Sequence, residues 1–270
     1  MAPMSADWFR LAPTERLERL EARFQGHAFS PHRHDTYAIG ITLEGVQSFH
    51  YRRSHRHSLP GTVIVLHPDE LHDGHAGCPG GFLYRMLYVK PALMQAMLKG
   101  RPLPFLTGGL STDARLVRTV RTLLLDMDHA PGALEETDGL FDLTMALAEN
   151  SDAGPMKGRH ALDHLAAERA RQYLDDNLLH GATLETLEMI TGRERWSLSR
   201  DFRALYGTSP YRYLTLRRLD DTKHRIAGGA SLTDAALTSG FADQSHMSRA
   251  FKRAYGVTPA RWRALTTAPR

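Results

Sequence analysis

Between residues 37 and 89 apolar and polar positions alternate with the period of strands. V-Q-S-F-H-Y-R runs over 46–52, a β-branched stretch over 62–66, and F-L-Y-R-M-L-Y-V over 82–89, which sets Phe82, Tyr84, Met86 and Tyr88 on one face. Turn chemistry at Glu44-Gly45, Pro60-Gly61 and Pro79-Gly80-Gly81 separates these runs. Several short strands with no helix between them predict an antiparallel sandwich or barrel. After Pro91 the period becomes helical. Leu116, Val120, Leu123 and Met127 recur at spacings of four, three and four behind Ser111-Thr112-Asp113, and a second amphipathic helix is expected over about 138–148. Residues 150–163 lose apolar periodicity and contain Gly154, Pro155 and Gly158, the composition of a linker. Everything beyond reads as helix.

The last third contains an internal repeat. L-S-R-D-F-R-A-L-Y-G-T-S-P-Y-R-Y over 198–213 matches M-S-R-A-F-K-R-A-Y-G-V-T-P-A-R-W over 247–262, with Ser, Arg, Phe, Tyr, Gly, Pro and Arg identical at corresponding places. Upstream, 183–192 aligns with 231–240 at an offset one residue smaller, so the second copy carries one extra residue in its turn. Each copy therefore reads as a short helix, a glycine turn and a second helix, which is the order of a helix-turn-helix. Gly192 and Gly240 supply the positive φ that such a turn needs. In the second helices Leu198 with Phe202, and Met247 with Phe251, take the core face. That leaves Arg195, Trp196, Ser197 and Arg200 outward in copy one, and Gln244, Ser245, His246, Arg249 and Lys252 in copy two. Arg and Gln reach guanine and adenine edges bidentately, and the others suit base-edge, methyl or phosphate contact. A helix over 211–227 joins the copies. It spans about 25 Å at ~1.5 Å per residue, a strut that sets two readers in successive major grooves.

Residues 240–252, G-F-A-D-Q-S-H-M-S-R-A-F-K, and 256–259, G-V-T-P, resemble the second helix-turn-helix and closing motif of AraC/XylS-type transcriptional regulators, and the resemblance covers about 164–267. Trp196 and Arg200, with Gln244 and Arg249, fall where members of that family contact DNA. Glu188 departs from the family, which usually has a small residue at that place. The resemblance implies sequence-specific binding to double-stranded DNA, a small-molecule effector, a homodimer for which the 116–127 helix is the candidate seam, and RNA polymerase as a further partner.

Histidine concentrates in the strand region, with nine of fifteen between His27 and His75. His32 and His34, and Glu70 and His72, stand at strand spacing i, i+2, so each pair faces one side. Three imidazoles and a carboxylate suit zinc, iron or nickel, which makes His32, His34 and His72 candidate ligands of a divalent metal. The stretch resembles the cupin-like N-terminal domain of AraC-type regulators, including the Pro60-Gly61 turn and P-x-E-x-H over 68–72. The carboxylate that metal cupins carry shortly after H-x-H is absent, where Ala38, Ile39 and Gly40 stand. The favoured reading is therefore an organic effector lined by His32, His34, Tyr37, Glu70 and His72. His50, His55 and His57, beside Arg52, Arg53 and Arg56, read as solvated residues in or beside a hairpin.

Composition narrows the rest. At 270 residues, 42% hydrophobic and 24% charged, the chain has the make-up of a globular protein. No run of about 18 apolar residues predicts a membrane span, and no secretory signal is readable, so a cytoplasmic location is expected. A single cysteine, Cys78, rules out a disulfide scaffold and thiolate zinc. Charge is uneven: residues 1–163 carry 17 Lys+Arg against 19 Asp+Glu, and 164–270 carry 17 against 11. A basic module suits a polyanion. The expected class is α+β: a cupin-like antiparallel β-barrel or jelly roll over 1–105, trailing helices over 106–149, a linker over 150–163, and an all-α domain of two helix-turn-helix units joined by a long helix over 164–268. The expected function is a ligand-responsive transcription regulator, not an enzyme. The rivals are a metal-dependent cupin enzyme fused to a DNA-binding domain, and a DNA-repair alkyltransferase, which one cysteine does not satisfy.

Overall fold

Strand alternation sorts side chains onto two faces, and in the computed structural model that sorting builds two antiparallel sheets closing on each other. Residues 7–14, 16–152 and 162–267 are described. In chain order the strands are β1 (Trp8–Pro13), β2 (Glu18–Phe24), β3 (His27–His32), β4 (Tyr37–Gly45), β5 (Gln47–Tyr51), β6 (Ser54–Ser58), β7 (Val63–Leu66), β8 (His72–Ala76) and β9 (Phe82–Val89). Helix α1 (Pro91–Leu98), the two-residue β10 (Leu110–Ser111), α2 (Ala114–Leu123) and α3 (Ala133–Glu149) follow. One sheet has the order β1-β2-β9-β4-β7-β10, the other β3-β8-β5-β6. The strand reading thus held over 37–89, while β1 to β3 precede the region where the alternation was legible. His50, His55 and His57 are exposed as expected but belong to the paired strands β5 and β6, not to a loop. The β5–β6 turn is made by Arg52 and Arg53, both at positive φ, an expensive place for side chains and one that sequence alone assigns to Gly or Asn.

Phe82, Tyr84 and Met86 point into the barrel with Leu20, Ala22, Phe24 and Phe49. The opposite face of the larger sheet is covered by helices. Ile39, Ile41, Val63 and Val65 pack there against Leu116, Val120, Leu123 and Met127 of the α2 region and Leu140, Leu143 and Leu147 of α3. Two expectations are corrected here. The four residues offered as a dimer seam are buried within the chain, at 0, 0, 7 and 4% exposure, because an apolar helix face that meets a β-branched sheet has no surface left for a partner. Tyr37 also lies on this helix-covered face, where its hydroxyl donates to the Pro104 carbonyl at 2.6 Å, so it does not line the barrel interior. Helix α3 starts several residues earlier than expected, behind Gly132, which offers no side-chain cap to announce it.

His67 fastens the segment after α1 to the barrel. Its Nε2 accepts from the Leu106 amide at 3.0 Å, and its Nδ1 is 2.6 Å from the Tyr51 hydroxyl. An acceptor at Nε2 puts the hydrogen on Nδ1, so the ring is neutral. Burial, reinforced by the Arg52 cation, lowers its pKa to about 3.

The C-terminal part consists of α4 (His164–Asp176), α5 (Leu184–Thr191), α6 (Arg195–Tyr206), α7 (Pro210–Ala227), α8 (Leu232–Thr238), α9 (Gln244–Tyr255) and α10 (Pro259–Thr267). The expected linker core, 153–161, lies outside the described residues. Helices α4 to α6 and the start of α7 form one core around Phe202, Leu198 and Tyr206. The core of the second unit, with Met247, Phe251 and Trp262, is instead continuous with the barrel interior. Polar ties surround that junction. Arg217 of α7 reaches Asp35 at 2.6 Å with both side chains buried, and Lys223 meets Glu18 at 2.7 Å. The Ser30 amide donates to the Gly256 carbonyl, and the Arg33 amide to the Arg253 carbonyl, each at 3.2 Å. Burial opposes the Arg217 charge, but Asp35 and Asp220 more than offset this and hold its pKa above the ordinary value.

Leu116→Ala is expected to cost about 2–5 kcal/mol in denaturant unfolding and to leave the native mass unchanged, the opposite of a seam residue. Because unfolding frees His67 to take a proton, stability is complete above the ordinary histidine pKa of ~6.5 and declines as pH falls toward 3, by up to about 1.4 kcal/mol per pH unit for this one proton. Denaturation midpoints at pH 7.5 and 5.5 check this, and His67→Gln should remove one proton's share of the slope.

Candidate nucleic-acid interface and barrel cavity

Both repeats fold as their sequences require. Thr183 accepts from the Thr186 amide to open α5, which ends at Gly192 with φ +67°. A Cβ on Gly192 would meet nothing within 4 Å, so φ alone demands glycine there. The Glu194 carboxylate then accepts from the Trp196 and Ser197 amides and starts α6. In the second copy Ser231 caps α8, the turn after Gly240 (φ +81°) is one residue longer, with Phe241 and Ala242 where the first copy has Arg193 alone, and Asp243 accepts from the His246 amide to start α9. Capping, turn and core positions therefore coincide in space as well as in sequence.

On α6, Leu198 and Phe202 are buried, while Trp196 is 70% exposed and Arg200 is exposed. Arg195 is less free than expected, since it pairs with Glu185 of α5 at 3.2 Å. Ser197 is half-buried. On α9, Gln244, Ser245, Arg249 and Lys252 are exposed and His246 is half-buried against Phe241. Gln244 Oε1 accepts from the Thr233 hydroxyl at 2.8 Å, which fixes its amide at the N-terminal end of α9. Arg249 and Lys252 have no ion-pair partner among the described residues. Helix α7 is 18 residues long and keeps Leu216, Leu219 and Ile226 inward, as the strut requires. Glu188 is half-buried and leaves α5 intact.

A cavity of about 220 Å³ opens inside the barrel. Its walls come from both halves of the chain: Leu20, Leu66, Tyr84, Met86 and Tyr88 from the strands, and Lys223 of α7, Tyr255 of α9, Val257 of the segment after it and Trp262 of α10. Tyr255 and Trp262 lie 5.0 and 6.0 Å from the Lys223 ammonium. His32, His34 and His72 line the same cavity. His32 and His72 are register partners across β3 and β8, and His34 lies just after β3 rather than on a strand. Burial lowers the His34 and His72 pKa values to about 3, with the neighbouring histidines His32 and His34 respectively reinforcing it, and keeps His32 well below its ordinary value. Glu70 does not join them, because its carboxylate turns to Arg52 at 3.8 Å. The cavity's C-terminal wall has no counterpart among the sequence expectations. Nothing in Lys223 or Trp262, 200 residues from the strands they face, signals that contact in the sequence.

Residues 16–143 match the model for the AraC-like ligand binding domain, and residues 189–265 match a helix-turn-helix domain. Among curated relatives, the uncharacterized HTH-type transcriptional regulator YbfI of Bacillus subtilis is 24% identical over 83% of this chain and 84% of its own. The HTH-type transcriptional activator RhaS of Yersinia pestis is 25% identical over 89% and 91%. The fold is that of ToxT from Vibrio cholerae, with a TM-score of 0.67, 12% identity, and coverage of 94% of this chain and 100% of that one. A ToxT structure with bound unsaturated fatty acid gives a TM-score of 0.65 at 14% identity, covering 99% and 98%. No helix among the described residues is long and apolar enough to cross a membrane. With a ligand-binding barrel ahead of two helix-turn-helix units, each matched over its own stretch, the chain belongs to the AraC/XylS family of DNA-binding transcriptional regulators.

Proposed function

We propose that a small molecule entering the barrel cavity changes how the barrel holds the second helix-turn-helix, and so changes affinity for operator DNA. One observation carries this reading: the cavity is walled by the barrel and by the DNA-binding domain together. A ligand there contacts both, so its affinity depends on their arrangement, and by linkage it biases that arrangement. The Lys223–Glu18 bridge at the cavity wall is the contact it would disturb first. The apolar part of the lining, with Phe9, Leu20, Leu66 and Met86, favours an apolar body, a class supported by the fatty acid bound to ToxT, and Lys223 at the wall offers a cation to a polar end. The volume lies below the ~300–1,000 Å³ of drug-sized sites and favours a compact molecule.

In this reading Trp196 and Arg200 of α6, and Gln244, Ser245, Arg249 and Lys252 of α9, contact DNA directly, with Arg195, Ser197 and His246 at the edges of the two surfaces. Helix α7 spans about 27 Å at ~1.5 Å per residue, which suits successive major grooves. The protein acts in the cytoplasm, not as an enzyme, with RNA polymerase as its partner on DNA. Self-association, in place of the buried seam, falls to Leu125, Leu134 and Phe141, exposed at 75, 75 and 51% on the helical side.

Selection of binding sites from random duplex DNA tests the two-reader reading. It should return a site with two elements about one helical turn apart. Arg200→Ala and Arg249→Ala should each weaken binding by about 1–3 kcal/mol and relax one element only. Equal loss on every sequence would mean that these arginines touch only phosphate. For the cavity, Ala38→Phe puts a ring into the lining position held by Ala38. It should abolish the response of operator affinity to an effector while leaving basal DNA binding near wild type, checked by fluorescence anisotropy.

A further inference from the structure

We infer that His32, His34 and His72 form a binding site for one divalent transition metal of the zinc, cobalt or nickel type, with three imidazole nitrogens as ligands. Each residue presents a ring nitrogen, and the three nitrogens lie within 4.8 Å of one another in buried surroundings. The rings approach closely, with centroids 4.3 Å apart for His32 and His72 and 4.8 Å for His34 and His72.

The hydrogen bonds behind the rings select the metal-binding tautomer. Nδ1 of His32 lies 2.8 Å from the Ser30 carbonyl, Nδ1 of His34 lies 2.9 Å from the Thr36 carbonyl, and Nδ1 of His72 lies 2.9 Å from the Glu70 carbonyl. A carbonyl only accepts, so each Nδ1 carries the hydrogen and each Nε2 keeps its lone pair. Three neutral rings in the same tautomer cannot satisfy one another, since all three are acceptors at the side left over. A cation resolves that conflict. A backbone carbonyl behind each imidazole is also the outer arrangement that orients metal-ligating histidines and raises their basicity.

The donor set indicates which ion. The nearby carboxylates are engaged elsewhere, Asp35 with Arg217, Glu70 with Arg52 and Asp73 with the His50 amide and ring, and the nearby cations are paired, Lys223 with Glu18 and Arg212 with Asp69. Three nitrogen ligands without an acid exclude magnesium and calcium by preference and suit zinc, cobalt or nickel. A three-histidine set also leaves a coordination position for water or a ligand atom from the cavity. The site lies under the second helix-turn-helix: a Cβ on Gly256 would come within 2.8 Å of His32 Nδ1. A bound metal would stiffen residues 30–36, which carry the Ser30, Arg33 and Asp35 contacts to α7 and α9.

The test uses full-length protein stripped with EDTA and titrated with Co²⁺, read by its visible d–d absorption, then with Zn²⁺ as competitor. The expected result is saturation at one Co²⁺ per chain, displacement by Zn²⁺, and a Zn²⁺-dependent rise in Tm. His72→Ala should weaken binding on the order of 100-fold or more, since loss of an outer-shell partner alone costs about 10–100-fold. His34→Gln and His72→Gln, which keep an N–H for the carbonyl behind, stand in if the alanine variant does not fold. His55→Ala with His75→Ala removes a separate exposed pair, whose Nε2 atoms lie 3.2 Å apart on β6 and β8, and should leave the high-affinity ion in place. Absence of saturable binding, retention of full affinity in both His72 variants, or loss only in the His55/His75 variant would overturn the assignment. None of these readouts involves DNA or an organic effector, so failure here leaves the regulator reading standing.

Discussion

The barrel cannot close its own end, and the rest of the structure follows from how that end is covered. Phe9, Leu20, Leu66 and Met86 line an interior that the two sheets leave open, and the C-terminal half supplies Tyr255, Val257 and Trp262 to its wall. Apolar burial of this kind has no direction of its own. Orientation comes from the polar ties around it: Asp35 with Arg217, Glu18 with Lys223, and the paired backbone contacts at Ser30 and Arg33. The Asp35–Arg217 pair is buried on both sides, and a buried pair that loses one partner leaves a charge stranded, which typically costs about 3–5 kcal/mol. It tolerates one docking geometry and penalises others.

This arrangement holds the barrel and the second helix-turn-helix together more closely than a flexible tether would. The first helix-turn-helix has its own core around Phe202, whereas the second shares one with the barrel. The cavity is therefore walled by α7, α9 and α10, while α6 meets the N-terminal half elsewhere, where the Leu103 amide donates to the Ala204 carbonyl at 3.4 Å. Helix α7 holds the Arg217 and Lys223 contacts on one side and connects the readers on the other, so it is where sensing and reading meet.

Much of this was legible in the sequence where the physics is local. The repeat revealed the two helix-turn-helix units because caps, glycine turns and i, i+4 core pairs are fixed by neighbours a few residues away. Strand alternation gave β4, β5, β7 and β9, whereas His32 and His72 meet through the β3–β8 register and His34 from the segment after β3, neither of which the i, i+2 spacing encodes. What failed was non-local or masked by unusual residues. Tyr37 and Glu70, expected inward, face the helices and Arg52 respectively, because spacing gives a side chain's parity and not which face is inside. An apolar stripe such as 116–127 cannot reveal whether a sheet or a second copy covers it. The cavity wall at Lys223, Tyr255 and Trp262 arises from docking between segments about 200 residues apart, for which a single sequence carries no signal.

The central claim is that barrel and second helix-turn-helix form one docked unit held in register by Asp35 and Arg217. Amide hydrogen exchange on the full-length protein, wild type against Asp35→Ala, tests it most directly. If the claim holds, the variant exchanges faster in β3, the latter half of α7 and α9 together, while α4 to α6 keep their protection. Faster exchange confined to the 33–36 segment, with α7 and α9 unchanged, would contradict it.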